Sequence, residues 1–173
     1  KRIIPVRYPK VLKETELIDI VLKHPGPRLV VMNTVQSAAV LADSIAKTHY
    51  GDCYNIDINK TKILHLSTAL APADRENLIN IIKYRLSFPL DDGNKDFTLV
   101  ATSCIEAGID FSFRSAFRER AGAANLIQIG GRVRRNMENF QASLIDFKIE
   151  GPLYNRHPAF VLPVQVLEKL FDE

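Results

Sequence analysis

The sequence predicts an α/β fold, a sheet covered by helices, and three observations carry that expectation. Apolar β-branched runs alternate with amphipathic stretches along the chain, which is the order of strand and helix in α/β domains. The runs from Arg28 to Thr34, Ile63 to Ser67 and Phe97 to Thr102 read as strands, the first of them suited to burial on both faces. Between them, apolar residues recur at helical spacing.

Taken in order, Lys1 to Pro9 contains Pro5 and Pro9, which argue against a central strand and leave an edge strand or a linker from something N-terminal. Arg28 to Thr34 (RLVVMNT) is the first strong strand. Val35, Ala38, Ala39, Ala42, Ile45 and Ala46 then follow at helical spacing until Gly51 offers a stop. Asp52 to Lys62 is polar and suits a surface loop. Ile63 to Ser67 is the next strand, and Pro72 suits the first position of a helix whose inner stripe is Leu78, Ile81, Ile82 and Leu86. Asp91, Asp92, Gly93 and Asn94 form a turn, and Phe97 to Thr102 is the third strong strand. A glycine-arginine helix follows, then a strand at Ala142 to Phe147 and a terminal helix at Val164 to Phe171. The resulting division is a linker and first helix over 1–27, the main domain over 28–150, and a C-terminal extension with its helix over 151–173. There is no internal repeat and no low-complexity tract.

Composition sets bounds. With 173 residues, 46% apolar and 25% charged, the chain can bury a real core and disorder is excluded. A net charge of +3, from 23 basic against 20 acidic residues, neither requires nor excludes nucleic acid. No apolar run approaches the ~20 residues that cross a bilayer, and Lys1 to Lys10 lacks the apolar middle of a secretory signal. A cytoplasmic protein without a membrane partner is expected. Cys53 and Cys104 lie far apart, and His24, His49, His65 and His157 are scattered, so no metal site is expected. Asp91 and Asp92, beside Gly93 and Asn94, suit a solvated turn rather than a metal.

The stretch Val100 to Asn136 carries the most chemistry. It contains VATSCIEAGIDF, an arginine-bearing segment, and LIQIGGRVRRN. Gln128, Gly131, Arg132 and Arg135 place one polar side chain, a tight backbone and two guanidinium groups within a few turns of chain. Arginine stays charged at working pH and offers a fork of donors matched to phosphoryl oxygens. Two arginines three residues apart on one helix share a face, and Gly130 and Gly131 would let that helix approach a partner closely. The competing reading is a solvated basic face.

Three blocks in order give these residues a context. LVVMNTVQSAAVLADSIAK is similar to motif IV of superfamily two helicases, HLSTALAPADRENLINIIKYRL to the block that follows it, and Val100 to Asn136 to motifs V and VI. From about Leu29 to Phe147 the chain resembles the second RecA-like domain of a helicase motor. More narrowly, LSTALAPADR, IEAGIDFSF, the FRER segment and Q-x-x-G-R-x-x-R resemble the helicase half of the CRISPR-associated helicase-nuclease of type I interference systems.

The resemblance implies a RecA-like three-layer domain with a mostly parallel sheet flanked by helices. It makes Arg132 and Arg135 arginine fingers reaching into an ATP site, with Gln128 near the same nucleotide and Gly108, Asp110 and Gly131 at the cleft. It places Asn33, Thr34, Ser67, Thr68, Thr102 and Ser103 on the backbone of single-stranded nucleic acid. For each of these hydroxyls a helix cap or loop contact competes, and Arg75 fits the block as well as it fits a packing stem. Glu106 receives no role. Motif VI begins here with Gln128-Ile129 where the common helicase form has His-Arg, which leaves no third finger.

The phosphate-gripping pattern GxxxxGK[ST] and an acidic box for magnesium are absent from the sequence. ATP and Mg2+ would therefore be shared with an N-terminal RecA-like motor domain of the same protein. The further partners implied are single-stranded DNA and a CRISPR RNA-guided surveillance complex, in a prokaryotic cytoplasm. Two other readings stay open at this point, another superfamily two helicase acting on RNA or DNA, and a protein- or RNA-binding module of helicase-like fold without a motor.

Overall fold

The computed structural model describes residues 4–52, 56–89, 91–105, 110–133, 142–154 and 158–172. Among these, six strands form one sheet: β1 (Val6–Leu12), β2 (Arg28–Val31), β3 (Ile63–Leu66), β4 (Thr98–Ala101), β5 (Ser115–Glu119) and β6 (Ser143–Ile149). Their order across the sheet is β1-β6-β5-β2-β4-β3, and every pairing is parallel. The helices are α1 (Glu14–Lys23), α2 (Val35–Tyr50), α3 (Pro72–Leu86), α4 (Ala123–Gly130) and α5 (Val161–Asp172).

Handedness decides which helix covers which face. Helices α1 and α2 join strands that step toward the β3 edge, whereas α3 and α4 join strands that step back toward β1. Parallel crossovers are right-handed, so the two pairs must lie on opposite faces. One core accordingly holds Leu17 and Val21 of α1 with Leu41 and Ile45 of α2. The other holds Leu78 and Ile82 of α3, Leu126 and Ile129 of α4, and Leu167 of α5. In β2, Leu29 and Val31 enter one core while Val30 and the following Met32 enter the other. Burial on both faces is why this run shows no polar alternation.

Local chemistry sets the boundaries. The Thr34 side chain accepts the Ser37 N–H at 3.0 Å and starts α2, and Gly51 ends it at φ 60°, a conformation that glycine adopts at little cost. Pro72 opens α3. Strand β1 lies at the edge, and its register against β6 shifts between Arg7 and Val11. That interval contains Pro9, which has no N–H to give to a ladder. Residues 6–23, expected to lead into the domain, thus add a strand and a helix to the same sheet and core.

Two features depart from the sequence expectation. Ser115–Glu119 forms a strand that no apolar run announced; it is third of six in the sheet and all five residues are buried. Helix α4 ends at Gly130 with Gly131 as its C-cap, so Arg132 lies beyond the helix. Two successive glycines disfavour further helix, and the chain turns instead. The Arg132 N–H donates to the Ile129 carbonyl, while the Arg132 carbonyl accepts from Phe113 at 2.8 Å beside a parallel bridge between Phe113 and Val133. Arg135 lies outside the described residues.

Candidate functional site

The neighbouring strands β2, β4 and β3 end on one edge of the sheet, and their carboxyl ends lead directly into Asn33-Thr34, Thr102-Ser103 and Ser67-Thr68. The topology therefore gathers all six residues expected on nucleic acid along one edge, where open α/β sheets receive ligands. Their side chains differ in freedom. Thr68 and Ser103 are exposed. Ser67 is 1% exposed, and its hydroxyl has no hydrogen-bond partner among the described residues. Thr102 is buried and donates to Cys104 Sγ at 3.3 Å. Arg75, from the first turn of α3, donates to the Thr68 carbonyl at 3.2 Å and ties that helix to the hydroxyl-bearing loop.

Asn33 and Thr34 are engaged within the domain. The Asn33 N–H donates to Glu119 Oε2 at 2.7 Å, its Nδ2 donates to the Arg120 carbonyl at 2.9 Å, and its Oδ1 accepts from Arg118 Nη1 at 2.7 Å. The Thr34 hydroxyl, besides capping α2, donates to Ser37 Oγ at 2.7 Å. The loop after β2 is thereby locked to the end of β5.

The residues expected at the nucleotide lie at the other edge. Asp110 is exposed and precedes Phe111 and Phe113, both buried, whose rings meet edge to face with centroids 6.0 Å apart. The hydrogen bond from Phe113 to the Arg132 carbonyl joins this segment to the end of α4, so Asp110 and Arg132 belong to one rigid piece. Arg132 is half-buried, and Gln128 is exposed one turn earlier on α4. A Cβ at Gly131 would meet little but the Gln128 carbonyl at 3.4 Å, so nothing within the described domain demands glycine there. Gly108 and Glu106 lie outside the described residues. A strand of four residues separates the two edges, about 13 Å at the usual rise.

A third cluster, which the sequence reading missed, fills the carboxyl end of β5. Arg118, Glu119 and the following Arg120 are 1%, 8% and 5% exposed. Arg120 Nη2 pairs with Asp146 on β6 at 2.5 Å and Nη1 with Glu168 on α5 at 3.3 Å, and Glu168 also pairs with Lys148. Asp146 lies opposite both Arg118 and Arg7 in the sheet register. Burial raises the Asp146 carboxyl above its ordinary range against the opposing pull of Arg120, and raises Glu119 against the opposing Asn33 amide. The available signal was the aspartate inside the apolar run SLIDF, since a carboxylate in a strand buried on both faces needs a cationic partner.

Among the described residues no three His, Cys, Asp or Glu side chains gather as metal ligands, and no helix is long and apolar enough to cross a membrane.

Comparison with known proteins adds the following. Residues 25–138 match the family model described as CRISPR-associated nuclease/helicase Cas3, C-terminal. A stretch of 73 residues is 37% identical to the CRISPR-associated nuclease/helicase Cas3 of Haloferax volcanii, covering 42% of this chain and 7% of that protein. The fold aligns with the crystal structure of T. fusca Cas3-ADP at a TM-score of 0.71 and 18% identity, over 99% of this chain and 21% of that one. The Mycobacterium smegmatis helicase Lhr bound to ssDNA and AMP-PNP aligns at a TM-score of 0.57 and 16% identity, over 92% of this chain and 18% of that one. The chain thus spans about a fifth of these two structures and 7% of the curated relative, and at these structural identities the likeness is one of fold.

Proposed function

This chain belongs to the family of C-terminal domains of the CRISPR-associated nuclease/helicase Cas3, and from that premise we propose that it is the second motor domain of an ATP-dependent helicase or translocase acting on single-stranded DNA. The observation that carries the reading is the division of labour between two sheet edges, with a row of hydroxyls at one and the Asp110–Arg132 piece at the other. A motor needs both a nucleic-acid surface and a nucleotide surface on one rigid body.

A nucleoside triphosphate held by the phosphate loop of an N-terminal RecA-like domain, with its magnesium, supplies the phosphoryl group that is transferred. Toward that group Arg132 and Arg135 extend guanidinium forks that neutralise the developing charge, an effect worth roughly 10³ or more in rate. Asp110, Gly108, Gly131 and Gln128 border the same cleft. At the other edge, Thr68 and Ser103 offer exposed hydroxyls to backbone phosphates without reading sequence. Ser67 and Thr102 stand behind them, while Asn33 and Thr34 hold the loop after β2 in shape. Because the sheet links the two edges, closure of the nucleotide cleft displaces the hydroxyl row and the strand it holds. The family membership supports delivery of that strand by an RNA-guided CRISPR complex.

The test is steady-state ATP turnover by the complete polypeptide, with single-stranded DNA and single-stranded RNA compared as activators. Arg132→Ala and Arg135→Ala are expected to abolish turnover while nucleotide affinity stays close to that of the parent, and DNA is expected to stimulate more strongly than RNA. Normal turnover in both variants would end the finger assignment. Indifference to nucleic acid would return the domain to a binding module.

A further inference from the structure

Between the carboxyl ends of β2 and β5 the connections diverge, α2 leaving toward one side of the sheet and α4 toward the other. Such a divergence opens a crevice at the carboxyl edge, and here it holds a cavity of about 390 Å³ roofed by α5. Asn33 and Glu119 form its floor, Tyr154 and Phe160 contribute aromatic wall, and Val164 and Gln165 of α5 close it. Of the residues assigned above to nucleotide and nucleic acid, only Asn33 lines this space.

The charges of the lining limit what can enter. Arg120 is committed to Asp146 and Glu168, and Lys148 to Glu168, so no surplus cation remains in the lining for a phosphate. The Glu119 carboxylate, 8% exposed, accepts the Asn33 N–H through Oε2 and has lone pairs for further donors. A neutral, planar group that donates N–H on one edge and presents apolar faces to rings and aliphatic side chains suits this lining. A nucleobase has those properties, and a strand lying along the hydroxyl row passes Asn33, which lines the cavity.

We propose that the cavity between β5 and α5 takes a base turned out of the bound single strand, with Glu119 accepting from an exocyclic amine. The inference rests on the DNA-tracking reading above. Thymine presents carbonyl oxygens where cytosine presents an amine, so strands of cytosine bind more tightly than strands of thymine.

The experiment measures, by fluorescence anisotropy, the affinity of the complete polypeptide for 15-nucleotide oligo-dC and oligo-dT at neutral pH. Oligo-dC is expected to bind roughly ten- to a hundredfold more tightly, the worth of one hydrogen bond to a charged acceptor. Glu119→Gln should shrink the ratio, because its amide also donates to thymine, and Val164→Trp should bring it close to one by filling the space. A dC-to-dT ratio that is the same in the parent and both variants, with DNA still bound, overturns the base pocket and leaves the motor reading intact. Failure of either oligonucleotide to bind the parent overturns both.

Discussion

Two arginine-bearing segments, Phe117–Arg120 (FRER) and Gly131–Arg135 (GRVRR), look alike in the sequence, yet Arg118 and Arg120 of the first and Arg132 of the second have different surroundings in the structure. The first sits in a central strand, where Arg118 and Arg120 are almost fully buried and are spent on Asn33, Asp146 and Glu168. The second begins just past the end of α4, with Arg132 half-buried at the opposite edge of the sheet. What separates them is depth of burial rather than charge density. A buried guanidinium is tolerated where carboxylates and carbonyls from adjacent strands surround it, whereas one on the turn after a helix remains on a surface that a second domain can reach.

Substitutions can break this comparison, and the largest expected effect on stability is in β5. Replacing Arg120 by Met leaves Asp146, fully buried, without its main partner, and removal of one partner from a buried pair costs about 3–5 kcal/mol. Chemical denaturation should show the midpoint falling sharply; an unchanged midpoint would mean that the network contributes nothing to the fold. Asn33→Ala removes two side-chain hydrogen bonds, one from a charged donor, and is expected to cost about 2–3 kcal/mol in the same assay.

Smaller still is Glu168→Gln, which weakens a partly exposed pair and should cost about 1 kcal/mol or less, with a pH signature. The hydrogen bond from Lys148 lowers the Glu168 carboxyl below its usual range, so its contribution is present above the ordinary carboxylate pKa and is lost as pH falls through the lowered value. Glu119 runs the other way. Its raised carboxyl favours the folded state most when protonated, and that contribution fades as pH rises through the raised value. Acid unfolding of Glu168→Gln should therefore be flatter than that of the parent below pH 4 or so, and Glu119→Gln should be relatively more stable at neutral pH than in acid. Parallel curves for parent and variants would refute both assignments.

Much of the fold was legible, because β2, β4 and β6 carry runs buried on both faces, β3 is a short apolar run at the edge, and α2 and α3 carry their own stop and start signals in Gly51 and Pro72. Strand β5 was not. Its Arg118 and Glu119 contradict a buried strand until Asn33 and Asp146 are known to lie beside them, and those partners are distant in sequence. The edge gathering the six hydroxyl and amide residues follows from strand order, which the motif order implied. Which of the six are already engaged does not, since the capping bond of Thr34 and the three bonds of Asn33 depend on side-chain geometry. The end of α4 at Gly130, two residues before Arg132, was written in the Gly130-Gly131 pair, whose cost to helix propensity the resemblance to a finger-bearing helix obscured.

The most direct test of the account measures turnover and stability side by side for one arginine from each segment. In the complete polypeptide, Arg132→Ala should lower DNA-stimulated ATP turnover roughly 10³-fold while its unfolding midpoint falls far less than that of Arg120→Met. An Arg132→Ala protein that unfolds early yet turns over ATP like the parent would contradict the account.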